Sequence, residues 1–118
     1  MSHPFRNSVQ KVLTSTTAAI SWSISVADTF DVNRIDIHWG SAPTTAESIT
    51  FTKVVALGSA YNTVLFTYTV PVATTDLSLP GNVSGSPAFS GFVSGDTLLI
   101  TYANTNARSV SGTATVSY

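Results

Sequence analysis

The chain has 118 residues, enough for one domain with a real core, and it carries six acidic and five basic side chains for a formal net charge of −1. So few scattered charges leave no basic stripe for nucleic acid, and the absence of cysteine removes disulfides, thiolate metal sites and cysteine nucleophiles. No apolar run reaches the roughly 18 residues that a membrane helix needs.

Residues 1–8 are polar, with one Pro and one Phe, and read as an N-terminal arm. They lack the apolar stretch of a signal peptide, so a start at Met1 implies synthesis in the cytosol. Phe5 and Arg6 on this arm are candidates for contact with a neighbour. The remainder, residues 9–118, reads as a single domain.

Val9 to Ser15 is a short strand candidate. Ile20, Trp22, Ile24 and Val26 alternate with Ser21, Ser23 and Ser25, the period-two pattern of a half-buried strand. Asp28 to Asn33 is rich in turn formers and reads as a break. Its three oxygen side chains, Asp28, Asp31 and Asn33, fall short of a calcium loop. Arg34 to Trp39 follows as a strand, with Ile35, Ile37 and Trp39 on one face. Arg34, Asp36 and His38 share the other face, which reads as solvated. Gly40 to Glu47 is a loop around Pro43, with room for a helical turn near Thr44 to Ser48.

Ile49 to Leu57 is the next strand, and Lys53 interrupts its apolar stripe. Lysine there marks a strand end, an edge or a stem that reaches back to water. Gly58 to Asn62 turns the chain. Thr63 to Val70 predicts a strand with Val64, Phe66, Tyr68 and Val70 on one face, ended by Pro71. A weaker strand spans Thr75 to Leu79, and Pro80 to Pro87 is a loop. Phe89 to Val93 is a short strand broken at Gly91, and Ser94-Gly95-Asp96 is a tight turn. Thr97 to Ala103 is a strand, Asn104 to Arg108 a turn, and Ser109 to Tyr118 the last strand. In that strand Val, Gly, Ala, Val and Tyr alternate with Ser and Thr alone.

Many short strands at near-regular spacing, with no helix, predict an all-β antiparallel sandwich of two sheets. A jelly-roll type is the favoured form, with an immunoglobulin-like topology as the alternative. Asn82-Val83-Ser84 matches a glycosylation acceptor, a match that arises often by chance.

No constellation carries a reaction. The two histidines, His3 and His38, have no second ligand at zinc spacing. The acids sit mainly in turns, there is no Gly-x-Ser-x-Gly elbow, and no glycine-rich loop precedes a helix. The reading is therefore non-enzymatic, without cofactor or metal. Trp22, Trp39, Phe51, Phe66, Tyr68 and Tyr102 fall on apolar registers and read as core. Phe30, Tyr61, Phe89 and Phe92 lie in or near loops and are the candidates for partner contact.

Two stretches carry a family likeness. One is Gly58-Ser59-Ala60-Tyr61-Asn62-Thr63-Val64-Leu65-Phe66. The other is Gly95-Asp96-Thr97-Leu98-Leu99-Ile100-Thr101-Tyr102-Ala103-Asn104, followed by the strand holding Gly112. With Arg34-Ile35-Asp36-Ile37-His38 upstream, residues 32–116 resemble small β-sandwich proteins encoded among the structural genes of tailed bacteriophages. The resemblance implies a virion component, either a capsid decoration (cement) protein or a tail accessory protein. Its implied partner is the major capsid protein or another virion protein, with no nucleic acid or membrane involved. Weakly charged surfaces suit packing against copies of the same chain, and a homotrimer matches a threefold position on an icosahedral shell. The alternative is a carbohydrate-binding or adhesive sandwich, from the loop aromatics.

An uncharged, regular strand at a chain end is a hazard for edge pairing unless something covers it. The final strand is thus expected either inside a sheet or at a subunit contact, with Thr113 and Thr115 as its outward residues.

Overall fold

A computed structural model of the chain describes residues 7–118. Among them lie nine strands: β1 Ser8–Thr16, β2 Ile20–Ile24, β3 Phe30–Trp39, β4 Glu47–Val54, β5 Thr63–Val70, β6 Asp76–Leu79, β7 Phe89–Phe92, β8 Thr97–Tyr102 and β9 Val110–Ser117. One 3-10 turn, Ser59–Tyr61, precedes β5.

The strands form two antiparallel sheets packed face to face, the two-sheet sandwich that the alternation predicts. One sheet has the order β1-β9-β3-β6, with β7 also pairing β3. Since β9 lines one edge of β3, β6 and β7 share the other edge end to end. The second sheet has the order β2-β8-β4-β5. The last strand, β9, sits between β1 and β3, so its edges are both covered.

The inward residues of both sheets make one core. It includes Ile35, Ile37 and Trp39 of β3, Phe51 of β4, Leu98 and Ile100 of β8, and Val110, Ala114 and Val116 of β9. Trp39 meets Tyr102 edge to face with ring centroids 5.8 Å apart, which joins the two layers. Trp22 Nε1 donates to the Thr14 carbonyl at 3.2 Å and ties the sheets together where β1 passes into β2.

Two bulges explain where sequence alternation and structure part. In β3 the pairing to β9 steps from Val32↔Val116 to Arg34↔Thr115, which makes Asn33 the extra residue. Phe30 and Val32 are therefore inward on even positions, and Ile35, Ile37 and Trp39 inward on odd ones. The segment Asp28 to Asn33, read as a break, is strand from Phe30 onward. Burial of Phe30 and Val32 outweighs the turn preference of Asp31 and Asn33. In β5 the pairing steps from Phe51↔Phe66 to Thr52↔Val64, which makes Leu65 the extra residue. Val64, expected on the face of Phe66 and Tyr68, is turned out and is 59% exposed.

The stretch Thr44 to Ser48 forms no helical turn; its backbone is bent and enters β4 at Glu47. The side chain of Asn106 takes the place of helical bonds there, accepting from the N–H of both Thr44 and Thr45 at 3.0 Å. At the other end of β1, Asn7 and Tyr118 exchange two backbone hydrogen bonds of 2.9 and 3.0 Å. Sheet pairing thus reaches one residue before β1 itself.

Candidate functional site

Three of the loop aromatics are core residues. Phe30, Phe89 and Phe92 are each at most 3% exposed. Phe30 opens β3 and pairs with Phe92, and the rings stack at 4.8 Å with 12° between their planes. Phe89 packs on Phe51 at 5.2 Å. The bulge at Asn33 turns Phe30 inward, and β7 adds its two phenylalanines to the same layer despite Gly91 between them. These three cannot serve as contact residues. Tyr61 does lie at the surface, 64% exposed on the 3-10 turn. Phe5 and Arg6 lie outside the described residues.

Thr113 and Thr115 are half-buried on the outer face of β9. Their cross-strand neighbours are Val12 and Asp36 for Thr113, and Gln10 and Arg34 for Thr115. They lie beside the charged group of the sandwich surface. Arg34 Nε donates to both Asp36 oxygens at 2.9 and 3.1 Å, and Ser78 Oγ donates to Asp36 at 2.8 Å. The Arg34 bond, helped by that from Ser78, holds the Asp36 carboxyl below the usual carboxylate range. His38 Nδ1 lies 2.9 Å from Asp76 Oδ1, and this contact lowers the Asp76 carboxyl as well. Each of these groups is matched within the face and exposed to water, so the arrangement is a solvated ion-pair network. The reading of Arg34, Asp36 and His38 as a solvated outer face agrees with this geometry.

The other sheet has a different outer surface. Ser21 of β2 pairs with Thr101 of β8, Thr101 with Thr50 of β4, and Thr50 with Thr67 of β5. Four hydroxyl side chains therefore form one row across all four strands. A second row runs Ser23, Leu99, Thr52 and Val64. Ser48 and Thr69 begin a third. Strand neighbours lie about 4.8 Å apart, so the rows make a regular surface of hydroxyls and methyls.

Among the described residues of these four strands, no charged side chain interrupts that surface. The only charges on the four strands are Glu47 and Lys53, and both take the inward register of Ile49 and Phe51. Glu47 accepts from the Thr105 N–H at 2.9 Å and from the Thr105 hydroxyl. Lys53 lies near the end of β4, where its Nζ sits 5.6 Å from the Phe92 ring centre and reaches Asp96 at 3.7 Å. The apolar stripe tolerates this lysine because the stem stays in the core margin and the ammonium finds an acid.

Sequence reading chose Thr113 and Thr115 and passed over Ser21, Thr50, Thr67 and Thr101. The signal was present in the Ser21 and Ser23 alternation. What joins these residues into rows is strand order, which alternation does not carry.

The remaining surface offers little chemistry. A shallow groove of about 410 Å³ lies between β3, β7 and the Pro80–Pro87 loop, with Asn33, Pro80 and Pro87 in its walls. Among the described residues no three His, Asp or Glu side chains converge as for a metal ion. Asp28, Asp31 and Asn33 point to separate partners, the N–H groups of Thr29 and Gly91 and the hydroxyl of Ser117. Asn82 of the glycosylation match holds the Ser78 N–H and the Asp76 carbonyl, which fixes the loop after β6. No protein-family model and no curated protein matches this sequence.

Proposed function

We propose that the protein is a non-enzymatic structural component of a virion, a capsid decoration protein that packs on the shell and on its own copies. The observation that carries this reading is the uncharged outer face of the β2-β8-β4-β5 sheet. A surface that must stay in water usually spends lysine, glutamate and arginine on its outer strands. Here those positions hold Ser, Thr, Leu and Val. Hydroxyls lose far less than charges when water leaves, and they find new partners in a wet interface. The resemblance to phage structural β-sandwiches supplies the kind of assembly, and the major capsid protein is the partner it implies.

The carbohydrate-binding alternative loses its support once Phe30, Phe89 and Phe92 are core. Tyr61 stands alone as an exposed ring from that set.

The test is the composition of purified particles. Virions banded from the source culture are expected to contain this chain in many copies, at a fixed ratio to the major capsid protein. Released chain, added back to particles stripped of it, is expected to rebind. Particles that lack the chain, with the protein recovered only in the soluble fraction, overturn the reading.

A further inference from the structure

We propose that β5 is a self-pairing edge, and that two copies join antiparallel along it into one continuous eight-stranded sheet. This deepens the packing reading above and rests on it only for the use made of the joined face.

In the β2-β8-β4-β5 sheet, β5 bonds to β4 on one side only. Among the described residues no backbone group pairs with its other edge. The strand is eight residues long, Thr63 to Val70, with no charge and no internal proline. Proteins normally protect such an edge with lysine, proline or a covering loop. The opposite edge of this sheet differs: β2 is short and is held at the corner with β1 by the Trp22 bond to Thr14.

A second observation lies at the same place. Of the six large apolar side chains exposed on the described surface, four lie in β5 or the turns flanking it in the chain. Leu57 and Tyr61 precede the strand, Val64 is in it and Val72 follows its end. Phe66 and Tyr68, stacked at 6.4 Å, are only half-buried at the margin of the core. A strand added to this edge covers both rings and satisfies the free backbone groups.

The chemistry favours a second copy of this chain over an unrelated strand. With no charge on β5, an antiparallel copy meets no like-charge opposition. A two-fold axis normal to the sheet keeps both outer faces on one side, so opposed residues must share a face. That condition sets one residue opposite itself. Centring on Thr67 sets Phe66 of each copy against Tyr68 of the other. It also joins the hydroxyl row Ser21, Thr101, Thr50 and Thr67 to its own continuation, giving an uninterrupted uncharged surface twice as wide. Such a contact is isologous and closes at two copies, in place of the threefold ring that shell symmetry suggested.

The chain has no cysteine, so a single Thr67→Cys gives one thiol per copy. Residues facing each other in antiparallel strands have Cα atoms about 4.5–5.5 Å apart, within disulfide reach. Mild oxidation of Thr67→Cys is expected to give a disulfide-linked dimer on a non-reducing gel, while Thr113→Cys at equal concentration stays single. Light scattering is expected to give twice the chain mass for the unmodified protein. Thr67→Lys, which opposes two ammonium groups at the axis, is expected to give the single-chain mass with the far-UV strand signal of the folded chain, its melting temperature falling only by what loss of the dimer removes. Equal cross-linking at Thr67 and Thr113 overturns the inference. So does a single-chain or three-chain mass for the unmodified protein, or an oligomer that survives Thr67→Lys. Particle rebinding is read separately. Loss of the cross-link with rebinding intact removes β5 pairing alone, and the reverse removes the docking reading alone.

Discussion

The rings of Phe30 and Phe92 stack at 4.8 Å and hold β7 against the start of β3. Both are buried. Two residues that stand beside turn signals in the chain are therefore structural. Phe92→Ala is expected to lower stability by about 3–5 kcal/mol, the cost of a large core truncation. Tyr61→Ala, at an exposed ring, is expected to change it by less than about 0.5 kcal/mol. Urea unfolding of the two variants distinguishes them. Equal small losses would place Phe92 at the surface.

Gly112 allows β9 and β3 to lie close. A Cβ at this position would fall 2.3 Å from the Asp36 carbonyl oxygen, a backbone atom that cannot move aside cheaply. Gly112→Ala is expected to cost about 1–3 kcal/mol, in the range of overpacked core sites. A thermal melt checks this. Gly85→Ala is no neutral control, because that glycine has φ +77°. Ser111→Ala, on the outer face of the same strand, is the better comparison and is expected to melt close to the unmodified protein.

Acid should weaken the fold through two carboxyls in particular. Asp36 and Asp76 are both held below their ordinary value of 3.8, by Arg34 and by His38 respectively. A depressed folded value means that the unfolded chain takes up the proton first. The contribution of each group is therefore complete above the ordinary value and disappears as pH falls through the lower folded one. Melting temperature is expected to drop below about pH 4, and the Asp36→Asn variant is expected to show a shallower drop. A variant whose acid profile parallels the unmodified protein would show that the Arg34–Asp36 pair contributes nothing to this dependence.

The two outer faces should respond differently to charge. Thr101→Lys places a cation in the middle of the uncharged rows, on a half-exposed site that folding tolerates. It is expected to leave the melting temperature near that of the unmodified protein and to abolish rebinding to stripped particles. Thr113→Lys lies next to Asp36, on a face that already carries charge, and is expected to fold and rebind. Co-sedimentation of both variants with particles tests this. Loss of rebinding by Thr113→Lys alone would move the contact to the other sheet.

Strand positions were largely legible in the sequence because inward and outward residues alternate so cleanly. Thr63 to Val70 coincides with β5 residue for residue. The errors of phase within β3 and β5 sit at the bulges. One extra residue at Asn33 shifts the phase of β3, so Phe30 and Val32 no longer fit the pattern of Ile35 and Ile37. An extra residue at Leu65 does the same to Val64. A bulge needs only one residue of any type, and nothing in composition marks it. The closing strand, expected inside a sheet or at a subunit contact, lies inside the sheet. The hydroxyl rows were not legible, because Ser21, Thr101, Thr50 and Thr67 become neighbours only through strand order.

The central claim is that this sandwich acts through packing along β5 and across the uncharged sheet beside it. Amide hydrogen exchange, measured at low and high protein concentration, tests it most directly. Free edge amides exchange quickly, and pairing slows them. The account predicts that peptides covering Thr63 to Val70 become protected as concentration rises, while the Pro80–Pro87 loop keeps a constant rate. Fast exchange along β5 at every concentration, or new protection confined to β1 or the Arg34–Asp36 face, would contradict it.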